Sequence, residues 1–145
     1  MINKIALFVG KYYLYIIFFI SLLGTLGSLA IGYVLNLTPC DLCWYQRVFM
    51  YSIFVVSLTG VLIKDEKDTY KYIIGLVVPG MIISLYNYYI QLFPNNLIIE
   101  CSLNNPCSKV DFILFGFLTI PLMAFVAFML IFILCLIKFK KRRYI

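Results

Sequence analysis

The sequence predicts an all-α membrane protein, a four-helix transmembrane bundle with both termini cytoplasmic. Three observations predict it. First, 64% of the residues are hydrophobic and the mean hydropathy is +1.02, whereas a soluble domain is about 45–50% apolar. Second, four apolar runs are each long enough for the roughly 20 residues that a helix needs to cross a bilayer; they are approximately 12–34, 45–63, 70–93 and 112–137. Third, the positive charge is one-sided. Of the twelve basic residues, only Arg47 and Lys109 fall at the ends of the runs opposite Lys4, Lys11, Lys64, Lys67, Lys71, Lys138, Lys140, Lys141, Arg142 and Arg143. Basic residues are retained on the cytoplasmic side, so the segments 35–44 and 94–111 are expected outside. The chain 1–145 is read as one domain in the cell membrane. The net charge of +6 is then a topology anchor that meets anionic lipid, and nucleic acid is not an expected partner.

The first run is flanked by Tyr12, Tyr13 and Tyr15 at one end and Tyr33 at the other, as expected for rings that prefer the headgroup level. Gly24, Ser28 and Gly32 recur every fourth residue, a stripe that lets helices approach closely in lipid. Ser28-Leu29-Ala30 resembles a signal-peptidase site, but the apolar run exceeds the ~7–15 residues of a signal peptide, so helix one is expected to stay. Thr38 is read as the N-cap of helix two, with Pro39 at its first position and Asp41 as a capping carboxylate. The segment Lys64-Asp65-Glu66-Lys67-Asp68 reads as a solvated connector. Pro79-Gly80 falls in the middle of helix three, where proline is expected to kink it and neighbours to satisfy the freed carbonyl. The longest non-helical stretch is 94–111. Helix four carries Pro121 near its outer third, no charge before Lys138, and a lone Cys135 expected to pack as a small apolar residue.

Four of the five cysteines carry the chemistry. Cys40 and Cys43, in Cys40-Asp41-Leu42-Cys43-Trp44-Tyr45-Gln46-Arg47, fall on one face of an opening helical turn, where the helix dipole favours thiolate. Arg47 stands one turn beyond Cys43, and its charge is expected to lower the pKa of Cys43 or to bind an anion there. Placing an arginine in a membrane helix costs up to about 2.5–3.5 kcal/mol, which argues for a purpose beyond snorkelling to the headgroups. Cys101 and Cys107 enclose Ser102-Leu103-Asn104-Asn105-Pro106, strong turn material that folds the chain back on itself. Two dithiols on one side suit thiol–disulfide exchange, which needs a partner to receive electrons. A four-cysteine zinc site competes, but the second spacing is wide, histidine is absent, and an oxidising compartment favours disulfides; no metal is expected. Asn87 and Gln91, one turn apart on helix three, are read first as amides bonding to another helix and second as contacts for the head of a lipid-soluble ligand.

The Pro39–Arg47 segment, with a second cysteine pair between helices three and four, resembles the disulfide bond formation protein B (DsbB) family, especially its short Gram-positive BdbC-like branch. The resemblance covers essentially the whole chain. It implies a thiol:quinone oxidoreductase that reoxidises an extracytoplasmic thioredoxin-like protein (DsbA- or BdbD-like) and passes the electrons to a membrane quinone, menaquinone or ubiquinone. It implies that Cys43 and Arg47 lie next to the quinone, that Cys101 forms the mixed disulfide with the partner, and that Cys107 exchanges with Cys40. The chain departs from longer members in the five residues between Cys101 and Cys107. Two other readings stand beside it. A vitamin K epoxide reductase-like enzyme uses similar parts, but in the reverse cysteine order. A non-enzymatic membrane protein with two structural disulfides gives Arg47 no task.

Overall fold

Hydropathy demands that each apolar run satisfy its backbone internally, and in lipid the helix does so within one segment. The computed structural model describes residues 2–34, 40–64, 68–93, 113–114 and 118–143. Among them are four helices, α1 (Ile2–Val34), α2 (Asp41–Leu62), α3 (Thr69–Leu92) and α4 (Ile120–Arg143), and one short antiparallel ladder of β1 (Ile113–Leu114) with β2 (Leu118–Thr119). Each helix contains a stretch long and apolar enough to cross a membrane: Tyr12–Val34, Asp41–Leu62, Thr69–Leu92 and Ile120–Lys140.

Two boundaries depart from the sequence expectation, and each has a local cause. The fourth helix begins at Ile120, later than the run 112–137. Pro121 therefore sits in its first turn, where a missing N–H and a fixed φ cost nothing, and not in its outer third. The apolar residues before it pair as strands, which apolarity alone does not distinguish from helix. The N-cap of α2 is Cys40 and not Thr38; its Sγ accepts the Cys43 N–H at 3.4 Å. Thr38 and Pro39 lie outside the described residues. At the other end of α2 the chain closes on Lys64 at φ 55, the left-handed step that commonly ends a helix, with Ile63 N–H bonding Thr59 O at 2.9 Å. Asp68 precedes α3 and pairs with Lys71 at 2.8 Å.

Consecutive helices run antiparallel. The start of α2 meets the end of α1 through Arg47 and Ser28, and the end of α2 meets the start of α3 through Gly60 and Thr69. The start of α3 and the end of α4 meet through Tyr70 and Phe139, and Lys138 of α4 stands 4.6 Å from the Tyr13 ring centroid of α1. The start of α1 and the end of α4 thus share one end of the bundle, and Cys40 lies at the other. Between the ends the core gathers Tyr13, Leu14, Ile17, Met50, Ile53, Tyr70, Ile73, Val77, Phe128, Ile131 and Cys135. Cys135 is a buried packing residue, as expected. Ser21 and Ser57 oxygens approach to 3.4 Å between α1 and α2. The closest approach of α3 to α4 is at Gly80, where an added Cβ would stand 2.7 Å from Phe128 Cζ.

Candidate functional site: the Cys40–Cys43 dithiol

The first turn of α2 has unbonded N–H groups and the positive end of the helix dipole. Cys40, as N-cap, presents its sulfur to them. Its Sγ lies 2.9 Å from Cys43 Sγ, the spacing of three having put both on one face. Cys40 rests on a small apolar cluster of Leu42, Ile90, Ile83 and Tyr86 that joins α2 to α3. Both cysteines are half-buried free thiols. The Cys40 thiol is lowered from an ordinary 9.0 to about 7. The hydrogen bond from the Cys43 thiol is the main cause. The backbone N–H groups of Cys43 and Leu42 and the Asn87 amide add to it, and burial opposes it. The expectation that Arg47 lowers the pKa of Cys43 or binds an anion beside it is a separate matter from this lowering of the neighbouring Cys40 thiol, whose main cause is its bond with Cys43.

Arg47 serves the neighbouring helix. Its Nη2 donates to Ser28 O at 3.1 Å, and its guanidinium lies 5.7 Å from the Trp44 ring centroid. An added Cβ on Gly32 would sit 3.5 Å from Nη1 and Nη2. The Gly24-Ser28-Gly32 stripe, read as packing alone, therefore also forms the floor beneath the arginine and supplies its carbonyl. A guanidinium has five N–H donors, and this carbonyl bond takes one of them.

Asn87 completes the site from α3. The residue is fully buried, and its Nδ2 lies 3.5 Å from Cys43 Sγ and 4.0 Å from Cys40 Sγ. Asn87 is an amide that bonds another helix, as read, and its target is the pair of sulfurs of Cys40 and Cys43. Among the described residues five buried polar atoms, Asn87 Oδ1, Gln46 Nε2, Gln91 Oε1, Thr25 Oγ1 and Thr119 Oγ1, have no hydrogen-bond partner. Gln46 was not singled out by the sequence; its only signal there was a polar amide one position before Arg47. Cys101 and Cys107 lie outside the described residues. Among the described residues no group of three metal-ligating side chains occurs.

The arrangement is a pair of thiols with sulfurs 2.9 Å apart at the end of a helix long and apolar enough to cross a membrane. Comparison with known proteins agrees with that chemistry. Residues 10–138 match the family described as disulfide bond formation protein DsbB. The SPbeta prophage-derived disulfide bond formation protein B of Bacillus subtilis (strain 168) is 39% identical over 135 residues, covering 90% of each chain. Disulfide bond formation protein C of the same organism is 37% identical over 131 residues, 89% of this chain and 94% of the relative. A probable disulfide formation protein of Coxiella burnetii is 37% identical over 120 residues, 81% of this chain and 80% of the relative. No solved structure matches significantly.

Proposed function

The chain belongs to the disulfide bond formation protein DsbB family, and from that premise we propose that it is a thiol:quinone oxidoreductase. In this reading it reoxidises an extracytoplasmic thioredoxin-like protein of the DsbA or BdbD kind and delivers the electrons to menaquinone or ubiquinone. The observation that carries the reading is the Cys40–Cys43 pair, with sulfurs 2.9 Å apart at the mouth of a membrane-crossing helix. The cysteine end faces outward and both termini face the cytoplasm, by the placement of the basic residues. The chain works as one domain of four spans.

The residues at this end of α2 fit a quinone. Trp44, Tyr45 and Val48 are exposed apolar side chains in a membrane-crossing segment. The guanidinium of Arg47 stands 5.7 Å from the Trp44 ring, and a quinone ring presents two carbonyl acceptors. Arg47 and Cys43 would hold it. Bound there, the quinone supplies a lipid-soluble acceptor for two electrons and two protons.

The protein's own residues carry the electrons that far. A partner thiolate attacks Cys101, breaking the Cys101–Cys107 bond, and the partner's second thiol releases it oxidised. The Cys107 thiolate attacks Cys40 Sγ, the Cys40–Cys43 bond breaks, and Cys101 closes on Cys107 again. The partner has lost two electrons and two protons. The reduced Cys40–Cys43 pair holds the electrons; one proton stays between its sulfurs and one leaves to water near pH 7, because Cys40 is lowered to about 7.

Quinone reduction by purified protein tests the reading, followed as loss of quinone absorbance with a reduced thioredoxin-like partner as donor. Cys101→Ser is expected to stop oxidation of the partner while leaving the Cys40–Cys43 pair oxidisable by quinone. Cys43→Ser is expected to block quinone reduction altogether, and normal turnover in that variant would sink the reading.

A further inference from the structure

We propose that Asn87 is a functional part of the dithiol: its buried amide donates to the reduced sulfurs of Cys43 and Cys40 and thereby sets how strongly the pair oxidises others. The inference rests on the reading that this pair cycles between dithiol and disulfide.

The geometry argues against a role in packing alone. Asn87 is fully buried, and among the described residues the bonds of its side chain run to the two sulfurs, at 3.5 and 4.0 Å. Its Oδ1 is left without a partner. A buried polar atom left unpaired opposes folding, so leucine of similar size would pack this position at lower cost. An amide retained under that penalty is accounted for by what its nitrogen touches. The pair presents Cys43, Asn87 and the backbone N–H groups of the first turn to Cys40, with Leu42, Ile90 and Tyr86 as the surrounding packing.

The direction of the effect follows from charge. In the disulfide both sulfurs are neutral and weak acceptors. Reduction adds two electrons and one proton, breaks the S–S bond and leaves one negative charge over the two sulfurs. A donor N–H bonds that charge more strongly than it bonds the disulfide. Asn87 therefore favours the reduced pair and makes the disulfide a better oxidant, in the way that stabilising the reduced form makes a strong thiol oxidant.

The test is the redox equilibrium of the pair in full-length protein carrying Cys101→Ser and Cys107→Ser, poised with dithiothreitol buffers and read by alkylation and mass spectrometry. It needs neither quinone nor partner, so it stands or falls separately from the activity proposed above. Asn87→Leu and Asn87→Ala both remove the donor, and the smaller side chain serves if leucine disturbs insertion. Each is expected to shift the equilibrium with dithiothreitol about tenfold toward the disulfide, a potential about 30 mV more negative. Each is also expected to slow alkylation of Cys40 at pH 7. Gln91→Leu, which removes an amide one turn away, is expected to leave both unchanged. Potentials of the Asn87 variants within about twofold of the parent, or a shift in the opposite direction, would overturn the proposal. An equal shift in Gln91→Leu would overturn it too, since loss of any buried amide would then suffice.

Discussion

The lowered Cys40 thiol makes the redox equilibrium of the first pair bend with pH at a stated place. The perturbation is pH alone, applied to protein with Cys101 and Cys107 replaced by serine. Below about pH 7 the reduced pair carries two protons, so two electrons enter with two protons and the potential falls by about 59 mV per pH unit. Above about 7 the Cys40 proton has left and the remaining one is shared between the sulfurs, so the slope halves to about 30 mV per unit. The sign for folding is the same. A depressed pKa stabilises the reduced fold fully above the ordinary 9.0 and loses that contribution as pH falls through about 7. Alkylation gives an independent measure. At pH 7 a thiol of 9.0 is about 1% thiolate and one near 7 is about half, a gain of roughly fifty in reactive species. A Brønsted slope of about 0.4–0.5 returns between sixfold and tenfold of it as lower nucleophilicity. Cys40 is thus expected to alkylate about five- to eightfold faster than an ordinary thiol at pH 7. Poising the protein in thiol buffers from pH 5.5 to 8.5 and trapping with acid gives the potential. A straight line at the steeper slope across that range, with alkylation no faster than a free cysteine, would refute a Cys40 thiol lowered by its bond with Cys43 and the first-turn N–H groups.

Three further outcomes are expected. Replacing Arg47 by alanine removes a charge-assisted donor worth about 1.5–3 kcal/mol and is expected to raise the quinone KM about 10- to 100-fold. Arg47→Lys, which keeps the charge and loses the planar fork, is expected to raise it less, and an unchanged KM in both would leave Arg47 as an interface anchor. Gly80→Ala drives a Cβ to 2.7 Å from Phe128 Cζ and is expected to cost about 1–3 kcal/mol and lower the melting temperature in detergent. Gly75→Ala, whose Cβ meets nothing within 4 Å, is expected to leave the melt unchanged, and equal melts for the two would refute the close approach of α3 to α4. Impermeant maleimide added to intact, mildly reduced cells is expected to label Cys101 or Cys107; labelling only after lysis would reverse the proposed orientation.

Length and apolarity made the helices legible, because lipid leaves a crossing segment few alternatives. They did not make the start of α4 legible. Ile113, Leu114 and Leu118 are as apolar as the span they precede, and only Pro121, taken as a helix-start residue, marks the boundary at Ile120. The dithiol was legible from its spacing, since three residues on a helix bring two sulfurs to one face. Which sulfur bears the charge was not. That depends first on the bond between the two sulfurs and then on the N–H groups that Cys40 meets as the cap in place of Thr38. Asn87 was legible as an interhelical amide, but its target was not, because the register of α3 on α2 is set by packing such as Leu42 against Ile90 and leaves no mark in either segment alone.

The two elements that build this site are neighbours in the chain, and that has a consequence for how the protein is made. Cys40, Cys43 and Asn87 lie at the open end of one hairpin, α2 and α3, closed at its other end by the few residues between Leu62 and Thr69. The Arg47 carbonyl partner, Ser28, precedes them. The partners described above for the sulfurs and the arginine, Asn87, Ser28 and Trp44, all precede α4 in the chain. The polypeptide up to the end of α3 thus already holds the residues that surround the Cys40–Cys43 pair, and α4, whose Phe128 packs on Gly80, is the last helix to be made.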